Sequence, residues 1–212
     1  MPNRVVVLLK VLVHVACLSP VAWLVWHLVQ NDLGPDPTHT VTFFTGRGAL
    51  RLLVISLAIT PVRRLITPLS WIIRFRRMLG LYAFFYGCLH LLTYVWLYAG
   101  FSLAAMIDDI TKRRFITAGL AAWTLMVPLA LTSTTWSIRK LGGKNWNRLH
   151  RLVYLSAIAG VIHYWWGVKP GVLTPTAITV VLVVLLAARP VLAWWSSRKH
   201  VPAQLARADK GL

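Results

Sequence analysis

The chain has 212 residues, of which 58% are hydrophobic and only 13% charged, whereas about 25% of the residues of a typical soluble domain are charged. A soluble domain of this size cannot bury so much apolar surface, so the composition excludes an ordinary soluble protein and predicts an integral membrane protein. The charged residues are 23 Lys and Arg against 5 Asp, with no Glu. Such a basic excess is typical of proteins that bind nucleic acid or anionic lipid. Because the basic residues lie in short clusters between long apolar runs, we expect no nucleic-acid partner.

Six apolar stretches along the chain predict an all-α bundle of six transmembrane helices of about 20 residues each. They cover residues 11–29, 49–66, 78–99, 115–133, 149–168 and 174–195. The second stretch contains Arg51 and Pro61, so we expect a short or kinked span there. There is no G-x-G-x-x-G or P-loop motif, so no nucleotide-binding domain is expected. Residues 1–212 are predicted to form one transmembrane domain that ends in a basic cytoplasmic tail, 196–212.

The distribution of charge predicts the orientation of this bundle. If both termini are cytoplasmic, the cytoplasmic segments carry 17 Lys and Arg and the outer segments carry 6. The outer segments then also hold four of the five acidic residues, Asp32, Asp36, Asp108 and Asp109. By the positive-inside rule we expect both termini in the cytoplasm, with the basic clusters in contact with anionic membrane lipid.

Two histidines are predicted to lie at matching depth inside the membrane. His90 follows Arg77 by 13 residues and His163 follows Arg151 by 12, which places them about 19 Å and 18 Å from the cytoplasmic end of two spans that run in the same direction. Two neutral imidazoles that face each other in a helix bundle can hold a heme iron with both axial positions filled, and such a heme carries electrons. The alternative is that each histidine makes a structural hydrogen bond to a neighbouring helix. Depth alone leaves both alternatives open.

Two further histidines are weaker candidates. His150 precedes His163 by 13 residues, which on an ideal helix sets the two side chains about 220° apart. At its level the third span carries Arg76 and Arg77 rather than a histidine. His150 is therefore a candidate ligand of a second heme, a flavin or quinone site, or an interfacial polar contact. His14, in the first span, either binds a quinone or a propionate or makes a structural hydrogen bond.

Arg47 and Arg51, one helical turn apart near the outer end of the second span, are candidate contacts for a cofactor carboxylate such as a heme propionate. The alternative for Arg51 is that it extends to the lipid headgroups. A different class of function, a small transporter or channel, would use the histidines as a proton relay and Arg51 as a substrate contact. We find no inverted repeat and no acidic residue in the spans, which argues against that alternative. A third candidate is a heme-carrying assembly subunit that does not react with quinol.

Several short strings, in this order and spacing, resemble the MsrQ (formerly YedZ) family of heme-binding membrane subunits. This family lies within the ferric-reductase-like transmembrane superfamily, which also contains NADPH oxidases. The resemblance covers residues 10–195, and the strings are Asp36-Pro37, Phe44-Thr45-Gly46-Arg47, Ile59-Thr60-Pro61, Arg76-Arg77-Met78-Leu79-Gly80-Leu81, Leu89-His90-Leu91, Ile110-Thr111-Lys112-Arg113, Leu131-Thr132-Ser133, and Trp146 through Leu149-His150-Arg151-Leu152-Val153-Tyr154 to Ile162-His163-Tyr164-Trp165.

The resemblance implies a six-helix bundle in the bacterial inner membrane that binds heme b and FMN. It implies that electrons from the quinone pool, or from cytosolic reduced flavin, pass to a periplasmic, molybdopterin-containing catalytic subunit of the MsrP type, which repairs oxidised methionine in periplasmic proteins. The histidines of the family fall on His90, His150 and His163. Two positions depart from the family pattern: Arg114 stands where a proline is usual, and Gly142-Gly143 adds a glycine. We expect these departures in the outer and cytoplasmic loops, away from the proposed ligands.

Overall fold

The computed structural model describes residues 3–169 and 171–208, and the side chains of residues 4–66, 68–169 and 171–195. In these residues the backbone is helical and contains no strand, so the all-α prediction is confirmed. The helices are α1 (Asn3–Val29), α2 (Pro37–Leu65), α3 (Ile73–Thr93), α4 (Leu103–Lys112), α5 (Arg114–Leu131), α6 (Thr135–Leu149), α7 (Leu152–Gly167) and α8 (Thr174–Ala208), with a 3₁₀ helix at Thr67–Ile72 and a π-helical turn at Tyr94–Tyr98 on either side of α3.

Five of these described helices are long and apolar enough to cross a membrane. They correspond to α1, α2, α3 with its flanking turns, α5, and α8 as far as Trp195. The remaining predicted span, 149–168, corresponds to α7, which has 16 residues and is therefore about 24 Å long, less than the hydrocarbon core of about 30 Å. The protein is a helical membrane bundle, and the sixth crossing stays a prediction.

The second span begins 12 residues earlier than predicted, at Pro37 instead of residue 49. The carboxylate of Asp36 accepts a hydrogen bond from the backbone N–H of His39 at 2.9 Å, and proline occupies the first helical position, so a cap and a favourable first residue start the helix. Threonine, histidine, glycine and arginine lower the hydropathy of residues 37–48, which concealed these turns in the sequence. As a result, residues 44–47 lie within a helix, where Thr45 and Gly46 contact His90 of α3.

Two of the predicted loops and the predicted tail are also helical. α4 starts at Ser102, whose hydroxyl accepts from the backbone N–H of Ala105, and α6 starts at Thr134, whose hydroxyl accepts from that of Ser137. Both helices are short: α4 precedes α5 and α6 follows it, so they lie at opposite ends of α5. The last helix continues through most of the predicted tail to Ala208, and residues 209–212 lie outside the described residues.

The bundle is built from two closely packed helix pairs, α2 with α3 and α5 with α7. In the first pair a side chain at Gly48 would bring its Cβ within 2.5 Å of the Tyr86 ring, so the glycine allows the ring to lie on the backbone of α2. In the second pair the buried Ser156 donates a hydrogen bond to the carbonyl of Ala122 at 2.8 Å. α8 packs on α2. Each pair thus brings one helix that carries a candidate histidine against a partner helix.

Candidate functional site

His90 on α3 and His163 on α7 face each other between the two helix pairs. Their ring centroids are 5.8 Å apart and the ring planes are inclined by 73°. In a six-coordinate heme each metal–nitrogen bond is about 2 Å long, and each ligating nitrogen lies about 1 Å from the centre of its imidazole ring. The ring centroids of two axial histidines are therefore about 6 Å apart. The observed spacing therefore fits a bis-histidine heme.

Hydrogen bonds at the opposite ring nitrogens orient both imidazoles. Nδ1 of His90 lies 3.0 Å from the carbonyl oxygen of Thr42, and Nδ1 of His163 lies 2.7 Å from that of Phe115. Because a carbonyl oxygen only accepts, each Nδ1 must carry the proton and donate it. Nε2 of each ring then keeps its lone pair, and no described residue hydrogen-bonds to it. This is the arrangement that histidines adopt as metal ligands.

Each of these rings also rests against a glycine of the partner helix. A Cβ at Gly46 would lie 2.9 Å from Cε1 of His90, and a Cβ at Gly119 would lie 2.6 Å from Nδ1 of His163. No ordinary side chain fits at such distances, so both positions need glycine for the imidazole to lie where it does. The glycine and the accepting carbonyl are also four residues apart in both helices, Thr42 with Gly46 and Phe115 with Gly119. The contact of His163 with α5 therefore repeats the contact of His90 with α2.

The repeat extends to the helices that carry the histidines. Gly87 precedes His90 by three residues and Gly160 precedes His163 by three, and both glycines line the cavity between the rings. Glycine one turn from a ligand leaves a flat wall on the same helix face, which suits a planar macrocycle. Sequence reasoning did not identify these glycines, although the twofold occurrence of Gly-x-x-His was the available signal.

The cavity that both histidines line has a volume of about 390 Å³, within the range of about 300–1,000 Å³ for small-molecule sites. Its walls come from α2, α3, α4, α5 and α7 and are mostly apolar. Such walls exclude water and suit the hydrophobic body of a porphyrin. The polar atoms that face the cavity are few, so each of them restricts what the cavity can hold.

Two buried polar atoms at the cavity have no hydrogen-bond partner among the described residues. Nε of Arg47 is buried and unbonded, while the guanidinium lies 5.4 Å above the ring of Phe43. The hydroxyl of Tyr164, a residue that is 9% exposed, is also buried and unbonded. Leaving such groups unpaired costs about 1–3 kcal/mol each. Both therefore suit a ligand that supplies acceptor atoms, as a heme does through its carboxylates. Tyr164 was not singled out in the sequence.

The structure separates the two arginines that were predicted together. Arg47 lines the cavity, whereas Arg51, one turn further along α2, is exposed and does not line it. This position is compatible with extension of Arg51 to the lipid headgroups. Arg113 also lines the cavity, but its Nε forms an ion pair with Asp109 at 3.0 Å.

His150 lies apart from this cavity, at the end of the bundle where α6 is located. It caps the C-terminus of α6 and precedes the start of α7, so it does not share a helix with His163 and the predicted 220° offset does not apply. Its ring stacks on Trp146, with centroids 3.8 Å apart. Thr132 donates its hydroxyl to the carbonyl of Pro128 at 2.6 Å, so its oxygen accepts from Nε2 of His150 at 3.2 Å. Nδ1 is therefore the ring nitrogen left for another contact.

His14 is exposed on α1 and does not line the cavity. Its Nδ1 lies 2.5 Å from the hydroxyl of Tyr82 on α3. The contact joins α1 to α3 and corresponds to the structural alternative considered for this residue.

Comparison with known proteins gives consistent results. The family described as "Ferric reductase like transmembrane component" matches residues 45–161. The chain is similar to the protein-methionine-sulfoxide reductase heme-binding subunit MsrQ of Herminiimonas arsenicoxydans, with 43% identity over 91% of this chain and 89% of that protein. It is also similar to the MsrQ subunits of Xanthomonas axonopodis pv. citri strain 306, with 46% identity over 87% and 86%, and of Xanthomonas oryzae pv. oryzae strain MAFF 311018, with 45% identity over 97% and 93%. No solved structure matches the chain.

Proposed function

Because the chain belongs to the MsrQ family of heme-binding subunits of protein-methionine-sulfoxide reductases, and to the ferric reductase like transmembrane proteins, we propose that it is a membrane electron-transfer subunit whose heme b is held by His90 and His163. The observation that supports this proposal best is the pair of imidazoles, 5.8 Å apart, each with Nδ1 bonded to a backbone carbonyl and Nε2 free for a metal. A bound heme of this kind supplies a one-electron carrier with no open position for oxygen or substrate.

The residues of the site have distinct roles in this proposal. His90 and His163 hold the iron, and the carbonyls of Thr42 and Phe115 fix the protonation and orientation of the two rings. The apolar cavity walls exclude water, which keeps the interior at a low dielectric constant. Arg47 offers its unbonded, buried Nε to a carboxylate of the bound group.

We further propose that six helices cross the inner membrane of a bacterium, with both termini in the cytoplasm. In this topology α7 crosses together with its flanking residues 149–151 and 168, as the 20-residue stretch in the sequence suggests. The α4 end of the bundle then faces the periplasm and the α6 end faces the cytoplasm. The histidine cavity lies near the periplasmic end, since the N-terminal half of α2 and the C-terminal part of α3 line it.

One macrocycle near the periplasm does not cover a hydrocarbon core of about 30 Å, so a second carrier is needed on the cytoplasmic side. We propose FMN or a quinol near His150 and the basic segments 63–77 and 139–151, reduced by the quinone pool or by cytosolic reduced flavin. His150 supports this assignment because it is held at that end by Thr132 and lies within electrostatic range of Arg76.

The acceptor in this proposal is a periplasmic, molybdopterin-containing methionine sulfoxide reductase of the MsrP type. The connections at the α4 end, 30–36, 99–102 and 168–173, are short, and they offer little material for a pocket that could bind an oxidised protein. We therefore place reduction of methionine sulfoxide on the partner and assign electron supply to this chain.

An absorption spectrum of the detergent-purified protein before and after dithionite tests this function, with pyridine-hemochrome quantification of heme. We expect the sharp reduced bands of six-coordinate heme b in the wild type, and their loss in His90→Ala and His163→Ala. His27→Ala is the control, because His27 lies on α1 and contacts Asp32 and Trp23 rather than the cavity. An unchanged spectrum in either ligand variant would reject the proposed pair.

His150→Ala separates the proposed inner carrier from the heme. We expect this variant to keep the heme bands but to be reduced more slowly by quinol or reduced flavin. Protein that is colourless after expression with ample heme would instead favour a transporter with a histidine proton relay. Heme-loaded wild type that neither quinol nor reduced flavin reduces would favour an assembly subunit.

A further inference from the structure

A half-buried arginine joins three helices at the α6 end of the bundle. Arg189 lies inside the apolar span of α8. Its Nη1 donates to the hydroxyl of Tyr154 on α7 at 2.5 Å, and its Nη2 donates to the carbonyl of Leu57 on α2 at 2.7 Å. The guanidinium lies 4.7 Å from the centre of the Tyr154 ring. An ionisable residue at such a position is costly and indicates a function.

Two further arginines act on the charge of Arg189, and no acidic side chain in the described part of the chain compensates them. Arg64 and Arg76 lie within electrostatic range of Arg189. Nε of Arg63, the hydroxyl of Thr60 and Nε of Arg189 itself are buried and have no hydrogen-bond partner among the described residues. Leu57, Thr60 and Arg64 lie on one face of α2, since they are three and four residues apart.

The side-chain carboxylates of the described residues are located at the opposite end of the molecule. The four Asp residues of the described chain lie in the connection between α1 and α2 and in α4, and the sequence contains no Glu; they are Asp32, Asp36, Asp108 and Asp109. Arginines within electrostatic range of one another repel unless an anion lies between them. The anion must therefore come from outside the described chain.

We propose that Arg64, Arg76 and Arg189, here called the inner arginine cluster, bind the phosphate group of a phosphate ester. Arginine presents a planar fork of donors that matches phosphate oxygens, and several arginines suit its double negative charge. Tyr154 and the Leu57 carbonyl orient Arg189 so that Nε and the remaining Nη hydrogens stay free to donate. The phosphate belongs either to a flavin nucleotide or to a membrane phospholipid. For the flavin source the inference rests on the proposed function, whereas the anion site follows from the contacts alone.

The test compares FMN with riboflavin, which is the same flavin without the phosphate. We titrate each into detergent-purified full-length protein and follow flavin fluorescence. FMN is expected to bind the wild type at least about tenfold more tightly than riboflavin, because the charge-assisted bonds to phosphate are made only by FMN. Inorganic phosphate should compete with FMN. In Arg64→Gln and Arg189→Gln the preference for FMN should disappear, whereas Lys10→Gln, which removes one charge on exposed α1, should retain it.

Native mass spectrometry of the same preparations tests the phospholipid source. In one outcome the wild type retains phosphatidylglycerol and binds FMN no better than riboflavin, and Arg64→Gln and Arg189→Gln lose the lipid. This result would assign the cluster to a lipid phosphate. The inference is overturned if the wild type shows neither the FMN preference nor retained anionic lipid, or if the variants keep whichever of the two it shows.

The heme spectrum separates the failure of this inference from the failure of the proposed function. Intact heme bands in a variant show that it is folded. Because Arg64 is exposed, Arg64→Gln is expected to fold, and it tests the phosphate site if Arg189→Gln does not fold. Wild type without heme would reject the proposed function, whereas the FMN and riboflavin titrations would still report on the phosphate site.

Discussion

Each proposed axial ligand depends on a short chain of contacts that begins with a glycine. Gly46 and Gly119 let the rings of His90 and His163 lie on the neighbouring helices, where the carbonyl one turn earlier accepts a hydrogen bond from Nδ1–H. Nε2 of each ring is left without a hydrogen bond to the described residues, as the proposed ligation of iron requires. The geometry of the ligands is therefore determined as much by α2 and α5 as by the helices that carry the histidines.

This dependence gives a prediction for Gly46→Ala and Gly119→Ala. The added methyl groups would come within 2.9 Å of His90 and 2.6 Å of His163, so the rings must move and their bonds to the carbonyls must lengthen. We expect each variant to lose at least about half of its heme, or to show a displaced reduced band, since overpacking of this kind costs about 1–3 kcal/mol. Pyridine-hemochrome assay and reduced spectra measure both effects.

Gly80→Ala is the matched control for these variants. Gly80 is helical as well, lies on α3, and has open space where its Cβ would be. It should keep full heme content and an unchanged spectrum. If Gly46→Ala and Gly119→Ala were equally unaffected, the glycines would not hold the ligands in place.

The two arginines on α2 should differ in their effect on the heme reduction potential. A cation beside the heme favours the reduced form, so Arg47→Gln should lower the potential. At an effective dielectric constant of about 20 and a separation on the order of 10 Å, the effect is about 70 mV. Arg51→Gln removes the same charge from an exposed side chain outside the cavity, and we expect a much smaller shift. Redox titration of both variants measures the difference, and equal shifts would mean that the position in the cavity has no special effect.

At the residue scale, the sequence predicted how deep a side chain lies in the membrane but not which residues it contacts. His90 and His163 could be paired because their distances from basic residues are nearly equal. The acceptor carbonyls and Tyr164 could not be found in this way, because they depend on which helices are neighbours and on their rotation. Arg47 and Arg51 could not be distinguished for the same reason.

At the scale of elements, contact between α2 and α3 depends on the Gly48–Tyr86 pair. Tyr86 is only 2% exposed, and its hydroxyl donates to the carbonyl of Cys17 at 2.9 Å, so the ring cannot easily move away from a new methyl group 2.5 Å from it. Gly48→Ala should therefore destabilise the bundle by about 1–3 kcal/mol. Thermal unfolding in detergent, with Gly80→Ala as the comparison, measures this loss. A midpoint equal to that of the wild type would show that the two helices can separate slightly without cost.

Hydropathy predicted the apolar helices well and the polar ends of helices poorly. α5 lies within two residues of its predicted bounds, since its whole length is apolar. α2 was predicted 12 residues too short because its first turns carry polar residues, of which Thr42 and Arg47 line the cavity. α4 and α6 were missed because a short helix at a membrane face needs no continuous apolar run.

At the scale of the whole molecule, the two proposed sites lie at opposite ends of the bundle. The histidine cavity is at the end that holds Asp32, Asp36 and α4, and the inner arginine cluster is at the end that holds α6. This polarity is what a subunit that moves electrons across a membrane requires, with a carrier near each face. It also gives the molecule a cationic end and an end with acidic residues, on which the predicted orientation depends.

The proposed topology makes a prediction about the C-terminus. Among the six predicted spans, α7 is the one that is too short in the described structure to establish by itself that it crosses the membrane. If α7 crosses, α8 returns the chain to the cytoplasm, as the positive-inside rule favours for the cations after Arg189. A green fluorescent protein fused at the C-terminus should then fluoresce, and alkaline phosphatase fused there should be inactive. Alkaline phosphatase fused after Asp32 or after Lys169 should be active. If only five helices crossed, the C-terminal fusions would show the reverse pattern, and phosphatase after Lys169 would be inactive. The cavity histidine of α7 would then not lie on a membrane-spanning helix.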